Sequence, residues 1–332
     1  MSCVHCRSSA DAGISAGRWG LVELDRLFAD IVAFASPVVV LSGGEPLLRD
    51  DVFDVAKAGA KVGLRMAMAT NGLLVNDDTC RRIKDSGIKI VSMSLDGATR
   101  EVHDNFRGQQ GAFDAFMRAS ECFNRHGIKF IVNSSFTKRN RSDIEATYRL
   151  AKSVGAVAWY MFLIVPTGRG QDIMDELISK DDYEEILLWH YKMEREETEV
   201  LVRPTCAPQY YRVWEQQSRI EGISMERRSL SFSAGGGKGC IAGQSIMFIN
   251  SNGDVFPCSY FPLVAGNVFE QSIEDIWDKS ELFEGLRDFS RYEGKCGVCS
   301  YVGVCGGCRA RSYAMTGSCF APEPHCSYIP KH

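Results

Sequence analysis

Two cysteines, Cys3 and Cys6, lie three positions apart near the start of the chain. A Cys-x-x-Cys pair can form a redox couple, half of a zinc site or part of an iron–sulfur site. The thiolate is the reactive or metal-binding form in all three cases. This spacing therefore predicts thiolate chemistry at the N-terminus, and the choice among the three depends on residues elsewhere.

A second candidate site consists of Gly43, Gly44 and Glu45, which follow the apolar run Val38–Leu41. Two glycines let a ligand approach the backbone without a Cβ atom in the way. A neighbouring carboxylate can accept charge-assisted hydrogen bonds from an ammonium group. The stretch therefore predicts a ligand site at the end of a strand. An ordinary tight turn between a strand and a helix is the alternative.

Polar residues follow the next two predicted strands. Asn71 ends the first, and Ser94 and Asp96 end the second. Because carboxyl ends of parallel strands meet at one edge, these residues are expected to line the same cavity. Turn formation by Asn-Gly and Asp-Gly is the alternative for each. His103 and Arg107 come next, either facing anionic groups of a substrate or lying in a solvated loop.

Cysteine is the outlier of the composition. The chain has 13 cysteines in 332 residues, and six of them lie between Cys296 and Cys326. In a small secreted domain this density indicates disulfides, but this chain is long, acidic and rich in helix and strand patterns. Metal or cluster ligation is the better explanation. Zinc is an alternative, although five residues are few to let two Cys-x-x-Cys pairs face one ion.

The N-terminal cysteines and the Gly-Gly-Glu stretch together resemble the radical S-adenosylmethionine (SAM) family. That family holds a [4Fe–4S] cluster with the motif C-x-x-x-C-x-x-C and leaves one iron free to bind SAM. Cys3 and Cys6 match the last two cysteines, and the first would fall two positions before Met1. We expect that the chain begins at an internal methionine; a degenerate member that no longer cleaves SAM is the alternative. Cluster content after restoring the upstream codons tests this expectation.

The resemblance implies cofactor roles for the polar residues named above. It places the methionine amino group of SAM against Gly43, Gly44 and Glu45. It places the ribose or the methionine carboxylate against Asn71, Ser94 and Asp96. The implied chemistry is cleavage of SAM to methionine and a 5′-deoxyadenosyl radical, which removes a hydrogen atom from an unactivated carbon. The protein would supply ligation, orientation and exclusion of water.

The C-terminal cysteines resemble the SPASM extension of that family, which binds two auxiliary [4Fe–4S] clusters. Its pattern begins G-x4-C, as in Gly253 to Cys258. The resemblance implies an outer cluster held by Cys296, Cys299, Cys305 and Cys326. It implies an inner cluster held by Cys240, Cys258 and Cys308, with Cys206 as the candidate fourth ligand. An open iron site or Cys319 is the alternative. The gap before Cys308 is two residues where the family has three.

Strand and helix patterns alternate strictly from residue 37 to about residue 165, with turns of Gly, Asn and Asp. This alternation predicts a parallel sheet with right-handed crossovers. We expect an α/β fold: a partial (β/α)6 TIM-like barrel with five strands after residue 37 and one before Met1, followed by an irregular α+β Cys-rich domain. The predicted domains are 1–200 and 201–332. Cys80 and Cys122 fall in predicted helices, as small buried apolar residues.

Composition and charge exclude several classes of partner. Apolar residues make up 45% and charged residues 24% of the chain, as in ordinary globular proteins. The net charge of −4 gives no electrostatic footprint for nucleic acid or a membrane surface. The longest apolar run, 156–166, is too short to span a bilayer, and no signal peptide is visible. We therefore expect a cytoplasmic protein with neither nucleic acid nor membrane as a partner.

Four stretches resemble radical SAM enzymes of alternative haem and haem d1 biosynthesis: 162–170, 203–209, 239–243 and 305–311. This resemblance implies oxidative decarboxylation or removal of carboxylate side chains on an iron porphyrin, with an electron donor such as flavodoxin or ferredoxin. Arg107, Arg169, Arg309 and Arg311 are available to pair propionates, or they are simply solvated. A peptide maturase and a non-catalytic iron–sulfur electron-transfer or binding protein are the alternative functions.

Overall fold

The computed structural model describes residues 1–10, 17, 19–223, 229 and 237–331. Its main sheet has six parallel strands in chain order: β1 (Val38–Leu41), β2 (Arg65–Thr70), β3 (Ile90–Ser94), β4 (Phe130–Phe136), β5 (Ala158–Leu163) and β6 (Leu201–Thr205). The helices of this part are α1 (Leu21–Phe34), α2 (Val52–Lys61), α3 (Asp77–Asp85), α4 (Arg100–Arg107), α5 (Ala112–Arg125), α6 (Ile144–Ser153), α7 (Lys180–Glu196) and α8 (Gln209–Glu221). The α/β fold expected from the sequence is confirmed.

The sequence predicts β1 to β5 but not β6. Pro204 lies inside β6, and a proline argues against a strand because it has no N–H for the ladder. β6 ends the strand order, paired with β5, and an edge is where a proline is tolerated. The sheet therefore continues to Thr205, past the boundary predicted at residue 200. The division into two domains stays a prediction.

The two faces of the sheet differ in chemistry. Outer-face side chains such as Met68, Met93, Val132 and Trp159 are buried with helix residues in the main hydrophobic core. The inner face begins with a small apolar layer formed by Ala67, Ile90, Ile131, Ala158 and Leu201. Strand alternation separates these two sets. The apolar layer closes one end of the inner face, and the polar residues of the same face lie nearer the carboxyl ends of the strands.

The C-terminal part has little regular structure. Its three-stranded antiparallel sheet consists of β7 (Phe248–Ile249), β8 (Asp254–Phe256) and β9 (Gly266–Asn267). Its helices are short: α9 (Ile273–Lys279), α10 (Glu281–Arg287), α11 (Gly294–Gly297), α12 (Val302–Cys305) and α13 (Arg309–Thr316). Gly253 turns the predicted hairpin with φ +87°, which glycine adopts readily. β9 was not expected from the sequence.

None of the helices in the described ranges is both long and apolar enough to cross a membrane. The glycine-rich stretch 233–239, which its composition predicts to be a loop, begins outside those ranges: residues 233–236 are not among them.

Candidate cluster and cofactor sites

The loop that carries Cys3 and Cys6 is fixed by the segment that follows β5. The N–H of Arg169 donates to the Cys6 carbonyl (3.0 Å). The Arg169 guanidinium donates to the carbonyls of Cys3 (2.9 Å) and Ala10 (3.1 Å). Gly168 has φ +55°, and a Cβ atom there would clash with the Cys6 carbonyl oxygen. The cysteine loop therefore depends on a glycine and an arginine more than 160 residues away in sequence.

Arg107 connects Cys3 to the interior of the sheet. Its Nη1 lies 3.6 Å from Cys3 Sγ, and its Nε lies 2.6 Å from Asp96 Oδ2. Asp96 Oδ1 accepts from the Ser135 N–H (2.7 Å), and the Asp96 N–H donates to His103 Nδ1 (2.9 Å). Burial raises the pKa of Asp96, against the charge of Arg107. The solvated loop considered for His103 and Arg107 is wrong, because both are buried in α4.

Glu45 is oriented by the end of the neighbouring strand. Its carboxylate accepts from Thr70 Oγ1 (2.8 Å), the Asn71 N–H (2.7 Å) and the Leu47 N–H (3.2 Å). Burial raises the pKa of Glu45, and these hydrogen bonds oppose the rise because they favour the ionised form. The carboxylate that follows the two glycines is thus held rigidly between β1 and β2.

The other residues predicted to contact SAM lie at the same edge. A Cβ atom on Gly43 would meet open space, and one on Gly44 would lie 3.3 Å from the methyl group of Ala10. Asn71 Oδ1 accepts from the Leu73 N–H (2.9 Å), which is the turn considered as its alternative role. Their contact with SAM stays a prediction.

A row of polar side chains crosses four strands of the inner face. Ser94 pairs in register with Asn133, Asn133 with Tyr160, and Tyr160 with Arg203. Ser94, Asn133 and Tyr160 are half-buried, and Arg203 is buried. Of these four, the sequence analysis assigned only Ser94 to a site. The signal for the others is a polar or amphipathic side chain two positions after an apolar inner-face residue of the same strand: Asn133 after Ile131, Tyr160 after Ala158 and Arg203 after Leu201.

Four thiols, the inner group, are gathered where β6 ends: Cys206, Cys240, Cys258 and Cys308. They lie close enough for their charges to act on one another. Burial, together with the charge on Cys240, raises the pKa of Cys258 and of Cys308 to about 12. Thiols crowded in such a place stay neutral unless a metal removes their protons. By contrast, the charged neighbours that shift the pKa of Cys319 are Arg309, Arg291 and Glu293.

Cys206 is held in an unusual backbone conformation. Its φ is +56°, a left-handed value that a residue with a Cβ atom adopts at a cost. The Cys206 carbonyl accepts from Arg311 Nη2 (2.8 Å) and from the Tyr183 hydroxyl (3.0 Å). These two buried donors fix the conformation, and backbone strain retained in this way is typical of functional sites.

The other four thiols, the outer group, share one cavity. Cys296, Cys299, Cys305 and Cys326 line one pocket together with Arg212 and Lys295. Burial raises the pKa of Cys305, and charge on Cys326 and Cys296 raises it further. Lys295 Nζ donates to the Cys326 carbonyl. The four cysteines that the sequence resemblance assigns to the outer cluster therefore line the same pocket in the structure.

Glu323 contacts both groups of thiols. Its N–H donates to Cys296 Sγ in the outer group (3.4 Å). Its carboxylate accepts from the Cys308 N–H in the inner group (2.6 Å) and pairs with Arg311 (3.3 Å). Arg311 is 0% and Glu323 1% exposed. Because a buried ion pair loses hydration on both sides, it persists only with such additional hydrogen bonds.

The four arginines expected to pair propionates, or to be solvated, have other partners. Arg311 Nη2 also donates to the carbonyls of Leu163 (3.0 Å) and Ile164 (3.2 Å). Arg309 is buried and donates to the Cys319 (3.1 Å) and Ala321 (2.9 Å) carbonyls. With Arg107 and Arg169 bound as described above, the protein itself occupies these guanidinium groups. They position the thiol-bearing loops.

Eight thiols in two groups of four match the ligand requirement of two cubane iron–sulfur clusters, which are held by four cysteines each. The donor set is all sulfur, which suits iron–sulfur clusters or zinc and disfavours hard ions. Their surroundings raise the pKa of Cys258, Cys305 and Cys308, which fits sites whose thiols lose their protons to a metal.

Known proteins decide between these metals. Residues 1–151 match the radical SAM superfamily, and residues 240–308 match SPASM, an iron–sulfur cluster-binding domain. The first match implies a [4Fe–4S] cluster and SAM, and the second implies auxiliary iron–sulfur clusters. The eight thiols of the inner and outer groups come largely from the second match.

Two relatives span almost the whole chain. The chain is 42% identical over 330 residues to the AdoMet-dependent heme synthase of Methanosarcina barkeri, covering 99% of this chain and 93% of that protein. It is 39% identical over 331 residues to the AdoMet-dependent heme synthase of Nitratidesulfovibrio vulgaris, covering 100% and 90%. Native anSMEcpe with bound AdoMet superimposes with a TM-score of 0.72 at 19% identity, covering 98% of this chain and 90% of that one. This last similarity shows the fold alone.

Proposed function

The chain belongs to the radical SAM superfamily, with a SPASM iron–sulfur domain, and on this premise we propose that it converts propionate side chains of an iron porphyrin into vinyl groups during haem formation. The observation that carries the proposal is the 42% identity to an AdoMet-dependent heme synthase, which extends over nearly all of both chains. A radical SAM enzyme of this kind uses the [4Fe–4S] cluster, SAM and the auxiliary clusters expected from the sequence.

We assign ligands from the thiol groups described above. The SAM-binding cluster takes thiolates from Cys3 and Cys6. The inner auxiliary cluster takes the four thiols of the inner group, with Cys206 as the fourth ligand. The outer auxiliary cluster takes the four thiols of the outer group. The grouping of Cys206 with Cys258 and Cys308 supports this choice over Cys319.

When bound, the reduced cluster and SAM supply a 5′-deoxyadenosyl radical that takes one hydrogen atom from the substrate. A propionate side chain that has lost this hydrogen atom, one electron and carbon dioxide is a vinyl group. The protein's task is to hold the reacting carbon in place and to keep water away. The apolar layer on the inner face closes the cavity from below, and the polar row above it provides the contacts.

Arg203 is the cationic member of that polar row. A guanidinium group can bind a carboxylate with two parallel hydrogen bonds, which fixes orientation as well as position. We assign Arg203 to a carboxylate of the bound molecules, either that of SAM or a substrate propionate. Glu45, held by Thr70 and Asn71, is assigned to the SAM ammonium group.

Electrons have to enter and leave once per propionate. A flavodoxin or ferredoxin would deliver the first electron to the SAM-binding cluster, as the sequence resemblance implies. The electron released with carbon dioxide would pass to the auxiliary clusters. Glu323 supports this assignment because its contacts with Cys296 and Cys308 join the two auxiliary sites directly.

The test uses anaerobically reconstituted protein with SAM, a low-potential reductant and iron coproporphyrin. Formation of 5′-deoxyadenosine and carbon dioxide, together with mass loss from the porphyrin that corresponds to propionate becoming vinyl, is the expected result. Porphyrin binding without 5′-deoxyadenosine would instead favour a binding or electron-transfer protein. Turnover of a precursor peptide without porphyrin turnover would favour a peptide maturase.

Two cysteine variants test the ligand assignment in the same assay. Cys206→Ser is expected to lower iron content by one cluster and to stop vinyl formation. Cys319→Ser is the matched control, because Cys319 is a buried thiol of the same part of the chain that is assigned to no cluster. If both variants lose the same amount of iron, the inner cluster is assigned wrongly, even when the wild-type protein is active.

A further inference from the structure

Three side chains of types that bind metals, with an aspartate beside them, lie between α3 and α5, outside the inner and outer thiol groups. Cys80 Sγ lies 3.0 Å from Cys122 Sγ, and ligand atoms of Cys80, Cys122 and His126 all lie within 4.8 Å of one another. Asp77 Oδ1 lies 2.8 Å from His126 Nε2 and 3.5 Å from Cys122 Sγ. We propose that these four residues form a zinc site that joins α3 to α5.

The helix geometry explains why these side chains converge. Asp77 and Cys80 are three positions apart at the start of α3, and Cys122 and His126 are four positions apart at the end of α5. Residues at these separations lie on one face of a helix. Each helix therefore presents two ligands to the other. Cys122 and His126 have three residues between them, which is a spacing that the two histidine ligands of zinc fingers also have.

The donor set fits zinc better than other ions. Two sulfurs, one imidazole nitrogen and one carboxylate oxygen are all ordinary zinc ligands in a tetrahedral site. A tetrahedral site with Zn–S of about 2.3 Å sets its two sulfurs about 3.8 Å apart. The thiols, now 3.0 Å apart, would move apart by less than one ångström. Arg125, 3.2 Å from Asp77, would remain as a hydrogen-bond partner of the ligating carboxylate.

Burial of the site is graded. Cys80 is 0% and Cys122 2% exposed, whereas His126 is half-buried and Asp77 exposed. An ion can thus enter from the Asp77 side and bind thiols that solvent does not reach. Burial raises the pKa of the Cys80 thiol, so without a metal this thiol keeps its proton and is chemically inert. This is the small apolar role expected for both cysteines from the sequence.

The test is elemental analysis of cluster-reconstituted protein after equilibration with zinc ions and removal of excess. About one zinc per chain is expected, with zinc X-ray absorption showing two sulfur neighbours at about 2.3 Å and two lighter neighbours at about 2.0 Å. Cys122→Ser and, as a milder change, His126→Gln are expected to lose zinc and to keep the wild-type iron content. Glu121→Gln, an exposed neighbour on α5, is the matched control and keeps the zinc.

Three results would overturn the proposal. One is wild-type protein that retains no zinc. Another is zinc retained equally by Cys122→Ser, which would place the ion at other cysteines. The third is mass spectrometry that finds Cys80 and Cys122 joined as a disulfide in the purified enzyme. Because the readout is zinc rather than turnover, these outcomes are independent of the porphyrin proposal.

Discussion

Two parts of the molecule are stabilised in different ways. They are the part with the six-stranded sheet β1 to β6, called the barrel part, and the C-terminal part with β7 to β9, called the cysteine-rich part. In the barrel part, helices and strands bury a continuous apolar core that includes Phe116, Trp159 and Leu187. In the cysteine-rich part the buried apolar clusters are small, and buried charged side chains hold the chain in place through hydrogen bonds. Arg309 and Arg311 are among the largest fully buried side chains of the described structure. Most of the backbone carbonyls to which they donate lie outside helices and strands, such as those of Cys319, Ala321 and Cys206.

This difference shows which interactions determine the structure of each part. Apolar burial is non-directional, so many combinations of side chains can fill the barrel core. Hydrogen bonds from a guanidinium group are directional, so each one fixes a particular carbonyl. The thiol loops need this precision because a cluster accepts only a narrow range of ligand positions.

Arg311→Met is expected to have the largest effect. It leaves Glu323 buried without its partner and removes the donors to the Cys206 and Leu163 carbonyls. Breaking a buried ion pair from one side costs about 3–5 kcal/mol. Loss of iron from the auxiliary sites and a lower unfolding midpoint in denaturant are expected.

The double variant Arg311→Met with Glu323→Gln sharpens this test. If the unpaired charge is the main cost, the double variant is more stable than the single one. Ile131→Val, in the apolar layer of the barrel part, is the comparison and should cost about 0.5–1.5 kcal/mol. An Arg311→Met variant that loses no more than Ile131→Val would remove the distinction between the two parts.

Gly168→Ala is expected to disable the N-terminal cysteine loop alone. The added Cβ atom would clash with the Cys6 carbonyl oxygen, and displacements of about 1 Å near a reacting centre cost about a hundredfold in rate. SAM cleavage should fall by about that factor while the auxiliary iron remains. Gly222→Ala is the matched control, since Gly222 has a similar φ of +65° and open space around it. Equal loss in both variants would show strain rather than displacement.

Glu45→Gln is expected to weaken SAM binding by about tenfold to a hundredfold, the range for a hydrogen bond to a charged group. Because burial raises the pKa of Glu45 above 4.5, the wild-type carboxyl group takes up its proton at a higher pH than an exposed glutamate. SAM affinity should therefore fall as pH is lowered through that raised pKa. The glutamine variant should lack this pH dependence in equilibrium titrations. A wild-type affinity that does not vary with pH would remove Glu45 from the ammonium contact.

Exposed ion pairs are expected to matter least in both parts. Glu145 with Arg149 in α6 and Asp275 with Lys279 in α9 are matched pairs four positions apart. Solvent screens such pairs, and their side chains lose entropy when they form. Arg149→Ala and Lys279→Ala should leave both the iron content and the unfolding midpoint unchanged within error. A clear loss at Lys279 would mean that surface charge helps to hold the cysteine-rich part.

The sequence predicts the barrel part well because its signal is local. β1 has the predicted bounds, Val38–Leu41, since an apolar run followed by two glycines leaves little choice. Cys80 and Cys122 lie in helices, α3 and α5, as predicted. β6 is missed because Pro204 argues against a strand until its place at the edge of the sheet is known.

The site is predictable where ligands are spaced by a motif and unpredictable where they are not. The family resemblance groups the four outer thiols, and it leaves Cys206 as a candidate fourth ligand of the inner cluster. The buried roles of Arg107, Arg309 and Arg311 have no sequence signal. An arginine among glycines and cysteines looks solvated until the carbonyls that it reaches are known. The meeting of Cys80 with Cys122 likewise depends on how α3 packs on α5.

The corner held by Arg311 has a consequence for the way a substrate reaches the inner face of the sheet. One side chain joins the end of β5, through Leu163 and Ile164, to the residue after β6, Cys206, and to Glu323. A hinge movement that separated the barrel part from the cysteine-rich part at Arg311 would break all of these bonds together. We therefore expect any movement that admits a substrate to have its hinge elsewhere. The residues joined by Arg311 are expected to move together.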